Sequence, residues 1–123
     1  MDISSRNGMD FSGVRKILEN LYDFSEVDQE CFAIVAQSSE PVRIDDLKEM
    51  VGKDRSTVYR AVQRLVENGF VSKEKIDFDR GGYCHVYRCR ETEDLVSEMR
   101  SELEDFHSEL DRSIEKFEQR TGS

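Results

Sequence analysis

Three features of these 123 residues predict a mainly helical fold carrying one small β-hairpin. Apolar residues recur at helical spacing in five separate stretches. The period changes to two only once, on either side of Asp79-Arg80-Gly81-Gly82. The composition, 37% apolar and 37% charged with no Trp and one Pro, suits a helix-rich chain. At this length the chain is expected to form one domain, or one domain with an extension, and can bury roughly two thirds of its unfolded surface.

The elements follow in order. Met1 to Met9 reads as a frayed tail. From Asp10 to Asp23, Phe11, Val14, Ile17, Leu18, Leu21 and Tyr22 mark an amphipathic helix with a stripe to bury. Phe24-Ser25 breaks it. Ser25 is placed to cap the next helix, with Asp28 at its third position favoured by the helix dipole. That helix, Val27 to Gln37, is buried through Val27, Cys31, Phe32, Ile34 and Val35, and Pro41 ends it by disfavouring helix at Glu40. Val42-Arg43-Ile44 is a short extended piece. A short helix starts at Asp45 or Asp46 and runs through Leu47, Met50 and Val51, and Gly52-Lys53 turns into the central helix.

The central helix organises the rest. Val58, Ala61, Val62, Leu65 and Val66 fall on one face; Ser56, Arg60, Gln63 and Glu67 lie opposite, with Thr57 and Arg64 beside them. Asp54 can accept backbone N–H groups at its start, and Gly69 stands where a left-handed C-cap requires it, giving roughly four turns. A two-turn helix, a glycine-bearing turn and a longer helix make a helix-turn-helix. Beyond it, Ile76 and Phe78 alternate with Lys75 and Asp77 as in a half-buried strand. Gly81-Gly82 supplies a turn, and Tyr83 to Arg90 a second strand. A hairpin with a basic tip directly after such a helix is a wing.

Thr92 can cap the last helix. From there Val96, Met99, Leu103, Phe106, Leu110, Ser113 and Phe117 recur at alternating steps of three and four, widened by Leu95 and Ile114. This is an a/d seam over three heptads, and the economical cover for it is a second copy of the chain, helped by the Asp10 to Asp23 helix. The division expected is therefore a tail and helix over 1–24, a DNA-binding unit over 25–90 and a coiled-coil-like dimerisation helix over 91–123.

Charge is distributed unevenly. The net value of −9 opposes nucleic-acid binding at first sight. Yet residues 53–90 carry nine basic and five acidic side chains, net +4, between segments of −6 and −7. Local field decides a contact more than the total does. No apolar run approaches the ~20 residues a bilayer span needs, and Met1 to Met9 has no apolar core for a signal peptide, so a cytoplasmic location and no membrane partner are expected. Three cysteines, an odd count, argue against a disulfide framework.

The order of elements resembles winged helix-turn-helix transcriptional regulators. Asp54-Arg55-Ser56-Thr57-Val58-Tyr59-Arg60, then Gln63-Arg64-Leu65, Gly69-Phe70-Val71 and Gly81-Gly82-Tyr83 with Val86-Tyr87-Arg88, looks like the small archaeal TrmB-like and MarR-like type over about residues 27–90. The resemblance implies a homodimer on double-stranded DNA, with the central helix in the major groove and the wing at the backbone or minor groove. The chain ends soon after the last helix, so the sugar-binding domain of long TrmB proteins is not expected in it; the sequence identifies no small-molecule effector.

Roles follow from position. Ser56, Thr57 and Arg60, at the groove-facing start of the helix, are the base-contact candidates, with Gln63 secondary. Lys53, Arg55 and Arg64 are phosphate candidates. Arg80 with the Gly81 and Gly82 amides suits a phosphate or the minor groove, with Lys73 and Lys75 behind. Tyr59, at the edge of the buried face, is assigned to packing before DNA contact. Val96, Met99, Leu103, Phe106, Leu110 and Phe117 are assigned to dimerisation.

Other chemistry is weaker. Cys84 and Cys89 lie five apart on a strand and point to opposite faces, and neither Cys31 nor His107 completes a zinc-ligand spacing, so no metal or cofactor is expected. A thiol-based redox sensor and a winged-helix module that binds only protein stand as alternatives. The second would lack the positive face that Arg55, Arg60 and Arg64 provide here. No catalytic motif is present, so no enzymatic activity is expected.

Overall fold

Two of the helix starts in the structure fall where a side chain accepts a free backbone N–H group. The computed structural model describes residues 12–121. Its elements are α1 (Val14–Leu21), α2 (Glu26–Gln37), α3 (Ile44–Val51), α4 (Arg55–Glu67), β1 (Val71–Asp77), β2 (Tyr83–Cys89) and α5 (Thr92–Thr121). The tail at Met1 to Met9 and the place of Phe11 in the first helix lie outside the described residues.

A full capping box opens α2. The Asp28 N–H donates to Ser25 Oγ at 3.2 Å, and the Ser25 N–H donates to Asp28 Oδ2 at 2.9 Å. Asp54 opens α4, its Oδ1 accepting the Thr57 N–H at 2.7 Å. Gly52 at φ 75° and Gly69 at φ 78° provide the left-handed turns that close α3 and follow α4. Between α1 and α2 the turn rests on Asp23, a non-glycine residue at φ 56°.

The chain divides into two compact units, the first ending at Glu91 and the second beginning at Thr92. In the first, Cys31, Phe32, Ile34 and Val35 of α2 are buried together with Leu47, with Val58, Ala61, Val62 and Leu65 of α4, and with Val71, Val86 and Tyr87 of the hairpin. Tyr22, Phe24, Phe32 and Phe70 form an aromatic cluster in which Phe70 meets the other three rings edge-on at 4.7–5.2 Å between centroids. Its contacts cross the boundary expected at residue 24 and hold the end of α1 to the unit.

The strands β1 and β2 pair antiparallel in the register Val71 with Cys89 through Asp77 with Tyr83. Val42 adds a third-strand bridge to Tyr87, with two backbone hydrogen bonds of 2.9 and 2.8 Å. The expectation of a half-buried β1 is corrected. Only Val71 is buried in that strand, and Ile76 and Phe78 are exposed. At about 3.3 Å per residue the seven-residue strands reach past the helices that could cover them, so alternation there has no buried side. Met50, expected on the inner face of α3, is 62% exposed. That helix begins at Ile44, whose own side chain takes a buried place. Thr92 lies within α5 rather than before it.

The second unit is the single 30-residue helix α5, about 45 Å long at 1.5 Å per residue. Val96, Leu103, Leu110, Ile114 and Phe117 are exposed along it, Phe117 at 70%; Met99 and Phe106 are half-buried.

Candidate nucleic-acid interface

The outer face of α4 begins with its cap. Besides the Thr57 amide, Asp54 Oδ1 accepts the Ser56 hydroxyl at 3.0 Å. These bonds to Thr57 and Ser56 hold the Asp54 carboxyl below the usual carboxylate range, helped by the positive charge of Arg60. Ser56 is thus turned toward the cap, Thr57 is half-buried, and Arg60 stands fully outward one turn on.

Of the nine cations between residues 53 and 90, Arg90 donates its Nη1 to the Gly69 carbonyl at 2.8 Å, and the other eight fall into two groups. Four are paired. Arg55 Nε lies 3.2 Å from Asp45 Oδ1, with both side chains largely in water. Lys75 Nζ lies 3.7 Å from Asp77 and 4.5 Å from the centroid of the Tyr83 ring. Arg88 Nε lies 3.2 Å from Glu74 Oε1. Arg64 makes the strongest pair. Its Nε donates to both oxygens of Asp28 at 3.0 and 2.9 Å, and its Nη2 donates to Oδ1 at 2.7 Å. Asp28 is 1% exposed, and its hydrogen bonds raise the Arg64 pKa further. By contrast, among the described residues no carboxylate lies within ion-pair distance of Lys53, Arg60, Lys73 or Arg80.

Arg64 therefore does not stand free as a phosphate ligand; it ties the start of α2 to the last turns of α4. Sequence reading assigned Asp28 to the helix dipole and missed this second partner, 36 residues away, for which a single sequence carries no signal. Gln63 sits at the flank of α4 rather than opposite its buried face: it is half-buried, and its Oε1 is enclosed without a hydrogen-bond donor among the described residues.

The wing tip is built on two glycines with positive φ, Gly81 at 91° and Gly82 at 85°. The Gly81 N–H donates to the Phe78 carbonyl at 3.0 Å, and the Gly82 carbonyl accepts the Phe78 N–H at 3.0 Å. The Gly81 amide thus serves the turn, from which the Arg80 side chain stands exposed beside that of Asp79. An open groove of about 300 Å³ lies between this hairpin and the starts of α3 and α4; Arg43, Arg55, Tyr59, Tyr83 and His85 are among its walls. Tyr59 is 41% exposed there, which brings it to the surface rather than into the core.

The thiols differ in setting. Burial and the neighbouring acids Asp28 and Glu30 push the Cys31 thiol up to about 12. Burial, then Glu91, also raises Cys89. Both shifts remove the thiolate on which oxidation chemistry depends. Cys84 stands opposite Ile76 and Cys89 opposite Val71, so the two lie at opposite ends of β2.

A sequence model of the family described as "Sugar-specific transcriptional regulator TrmB" matches residues 18–93. The uncharacterized protein MJ1503 of Methanocaldococcus jannaschii is 32% identical over 78 residues, 63% of this chain; the match spans 59% of that protein's length. Among solved structures, a possible transcriptional regulator from Methanosarcina mazei Go1 aligns with a TM-score of 0.75 at 18% identity, over 85% of this chain and 88% of that one. The ST1889 protein of Sulfolobus tokodaii aligns at 0.68 and 13% identity, over 83% and 99%. Transcriptional regulator Tm0710 of Thermotoga maritima aligns at 0.52 and 15%, over 88% and 80%. The structural likenesses establish the fold: five helices and an antiparallel hairpin arranged as in winged-helix regulators.

Proposed function

Because this chain belongs to the TrmB family of transcriptional regulators, we propose that it binds double-stranded DNA sequence-specifically as a homodimer and regulates transcription by occupying a promoter. The observation that carries this reading is the set of four cations, Lys53 and Arg60 at α4 and Lys73 and Arg80 on the wing, that have no carboxylate within ion-pair distance among the described residues. Exposed side chains of one sign without internal partners lose little by meeting phosphates, and each neutralised phosphate releases counterions. In this reading α4 enters the major groove and the wing meets the backbone or minor groove. Arg60 and Thr57, with Ser56 at the cap, meet base edges; Lys53, Lys73 and Arg80 meet phosphates. Arg64 is left out of the contact set because Asp28 already holds its guanidinium. The dimer is supported by the apolar side chains that α5 exposes at heptad spacing.

Electrophoretic mobility shift against genomic fragments over a range of salt tests the proposal. A retarded complex whose affinity falls steeply with salt, and which survives excess scrambled competitor on some fragments, is the expected result. Absence of any salt-sensitive DNA affinity would instead favour a winged-helix module that binds protein.

A further inference from the structure

The groove between the wing and the starts of α3 and α4 is lined by a cation that lies outside both α4 and the hairpin, Arg43. Arg43 precedes α3, where its side chain makes no cap hydrogen bond. Its guanidinium carbon lies 5.7 Å from the centre of the Phe78 ring, and among the described residues no carboxylate pairs with it. An aromatic face holds a guanidinium by its flat side and leaves its N–H edge free to donate. The preceding residue, Val42, is clamped to Tyr87 by two backbone hydrogen bonds, so the root of Arg43 is fixed against the hairpin.

Across the groove stands Arg55. Its Nε is used by Asp45, but that pair is exposed on both sides, 67% and 78%, and such pairs yield readily to competing ligands. Tyr59 and Tyr83 line the same walls, as does Asp45, the partner of Arg55. Two guanidiniums facing one opening, one of them free and the other weakly held, match an anion with several acceptor oxygens. At about 300 Å³ the space lies at the lower end of small-molecule pockets, and it is partly open to solvent. That shape suits a group carried on a chain better than an enclosed effector.

We infer that this groove seats a phosphodiester of the DNA backbone, gripped by Arg43 with Arg55 opposite, at the junction of α4 and the wing. This rests on the DNA-binding reading and adds to it a contact outside both the central helix and the wing. Arg43 is thereby a positioning residue: it fixes the register of α4 on the duplex without reading a base.

The test is fluorescence anisotropy of the full chain on operator and scrambled duplexes at several salt concentrations, for wild type, Arg43→Ala and Arg43→Lys. Arg43→Ala is expected to weaken both duplexes by a similar factor and to lower the magnitude of the salt slope by about 0.9 per protomer, so about two for a dimer. Arg43→Lys should recover most of the slope because the charge remains. As Arg43 is exposed and caps nothing, an unchanged melting curve should accompany these effects. A salt slope for Arg43→Ala equal to wild type overturns the inference while leaving DNA binding intact. Absence of salt-dependent affinity in the wild type overturns the underlying reading and this one with it. Displacement of DNA by inorganic phosphate at constant ionic strength, lost in Arg43→Ala, reassigns the groove to a free phosphate ligand and also overturns it.

Discussion

At the scale of single residues, Asp28 does two things at once. It closes the capping box with Ser25 and receives the Arg64 guanidinium while almost wholly withdrawn from water. A buried carboxylate deprived of its cation is costly, ~3–5 kcal/mol for a fully buried pair. Here Arg64 keeps 45% of its side chain exposed, so water can partly replace it. Arg64→Ala should therefore cost roughly 2–4 kcal/mol, read as a lower urea midpoint at unchanged m-value. Its loss of DNA affinity at 25 °C should vanish once binding is corrected for the unfolded fraction; a large residual loss would return Arg64 to the DNA surface. Asp54 gives a pH signature. Its folded pKa lies below the usual 3.8, so its stabilising contribution is complete above that value and lost as pH falls through the lower folded one. The gap in urea midpoint between wild type and Asp54→Ala should be constant from pH 5 to 8 and shrink under acid conditions below about pH 4. A gap that grows on acidification would contradict the assigned sign.

At the scale of elements, α4 and the wing present free cations in different mechanical settings. Arg60 projects from a helix whose inner face, Val58, Ala61, Val62 and Leu65, is entirely buried, so its position is rigidly held. Arg80 projects from a turn on two glycines, beside Asp77 and Asp79. A rigid guanidinium can meet guanine O6 and N7 together, whereas a mobile one in an acidic setting serves phosphate. Arg60→Ala should cost ~1–3 kcal/mol at the operator and relax preference at one base pair per half-site. Arg80→Ala should weaken operator and scrambled DNA alike and lower the salt slope by about two for the dimer. Titrating both variants on both duplexes checks this; equal losses on both duplexes for Arg60→Ala, with base preference intact, would misplace the reading face.

These elements also show what was legible beforehand. Local signals did well: the Ser25 and Asp54 caps, the glycine turns and the inner face of α4 all depend on residues within one or two turns of each other. What escaped was long-range. Whether Ile76 and Phe78 are covered depends on how far the hairpin outruns its helices, and whether Arg64 is free depends on a carboxylate 36 residues earlier. The sequence places Arg43 in a short extended piece, and only the bridge from Val42 to Tyr87 brings it to the wing. Nine cations between residues 53 and 90 marked the right region, but only pairing geometry separates those engaged within the chain from those available to a ligand.

At the scale of the whole molecule, the question is what makes α5 a stable helix. An isolated helix gains little in water beyond its own hydrogen bonds, because stability in proteins comes chiefly from packing an amphipathic face. Among its apolar residues only Leu95 is buried, while Leu103, Leu110, Ile114 and Phe117 keep about half or more of their surface in water. Their spacing of three and four turns them along one side, the side a coiled-coil partner takes. The acidic character of the helix, ten Asp/Glu against four Lys/Arg over Thr92–Thr121, opposes self-association at low salt and restricts it to that apolar seam. Two outcomes follow together. Replacing Leu103 and Phe106 by Glu should set charges in a dry interface and give monomers by sedimentation velocity, with reduced helicity by circular dichroism because α5 loses its packing. The same variant should keep the aromatic and aliphatic core of the first unit, and with it a weak, salt-sensitive affinity for single half-sites. Added salt should tighten the wild-type dimer by screening the acids even as it weakens the grip on DNA, so the two equilibria should move in opposite directions along one salt titration. An unchanged dimer in the double variant would show that α5 is covered in some other way and that the seam does not hold two chains together.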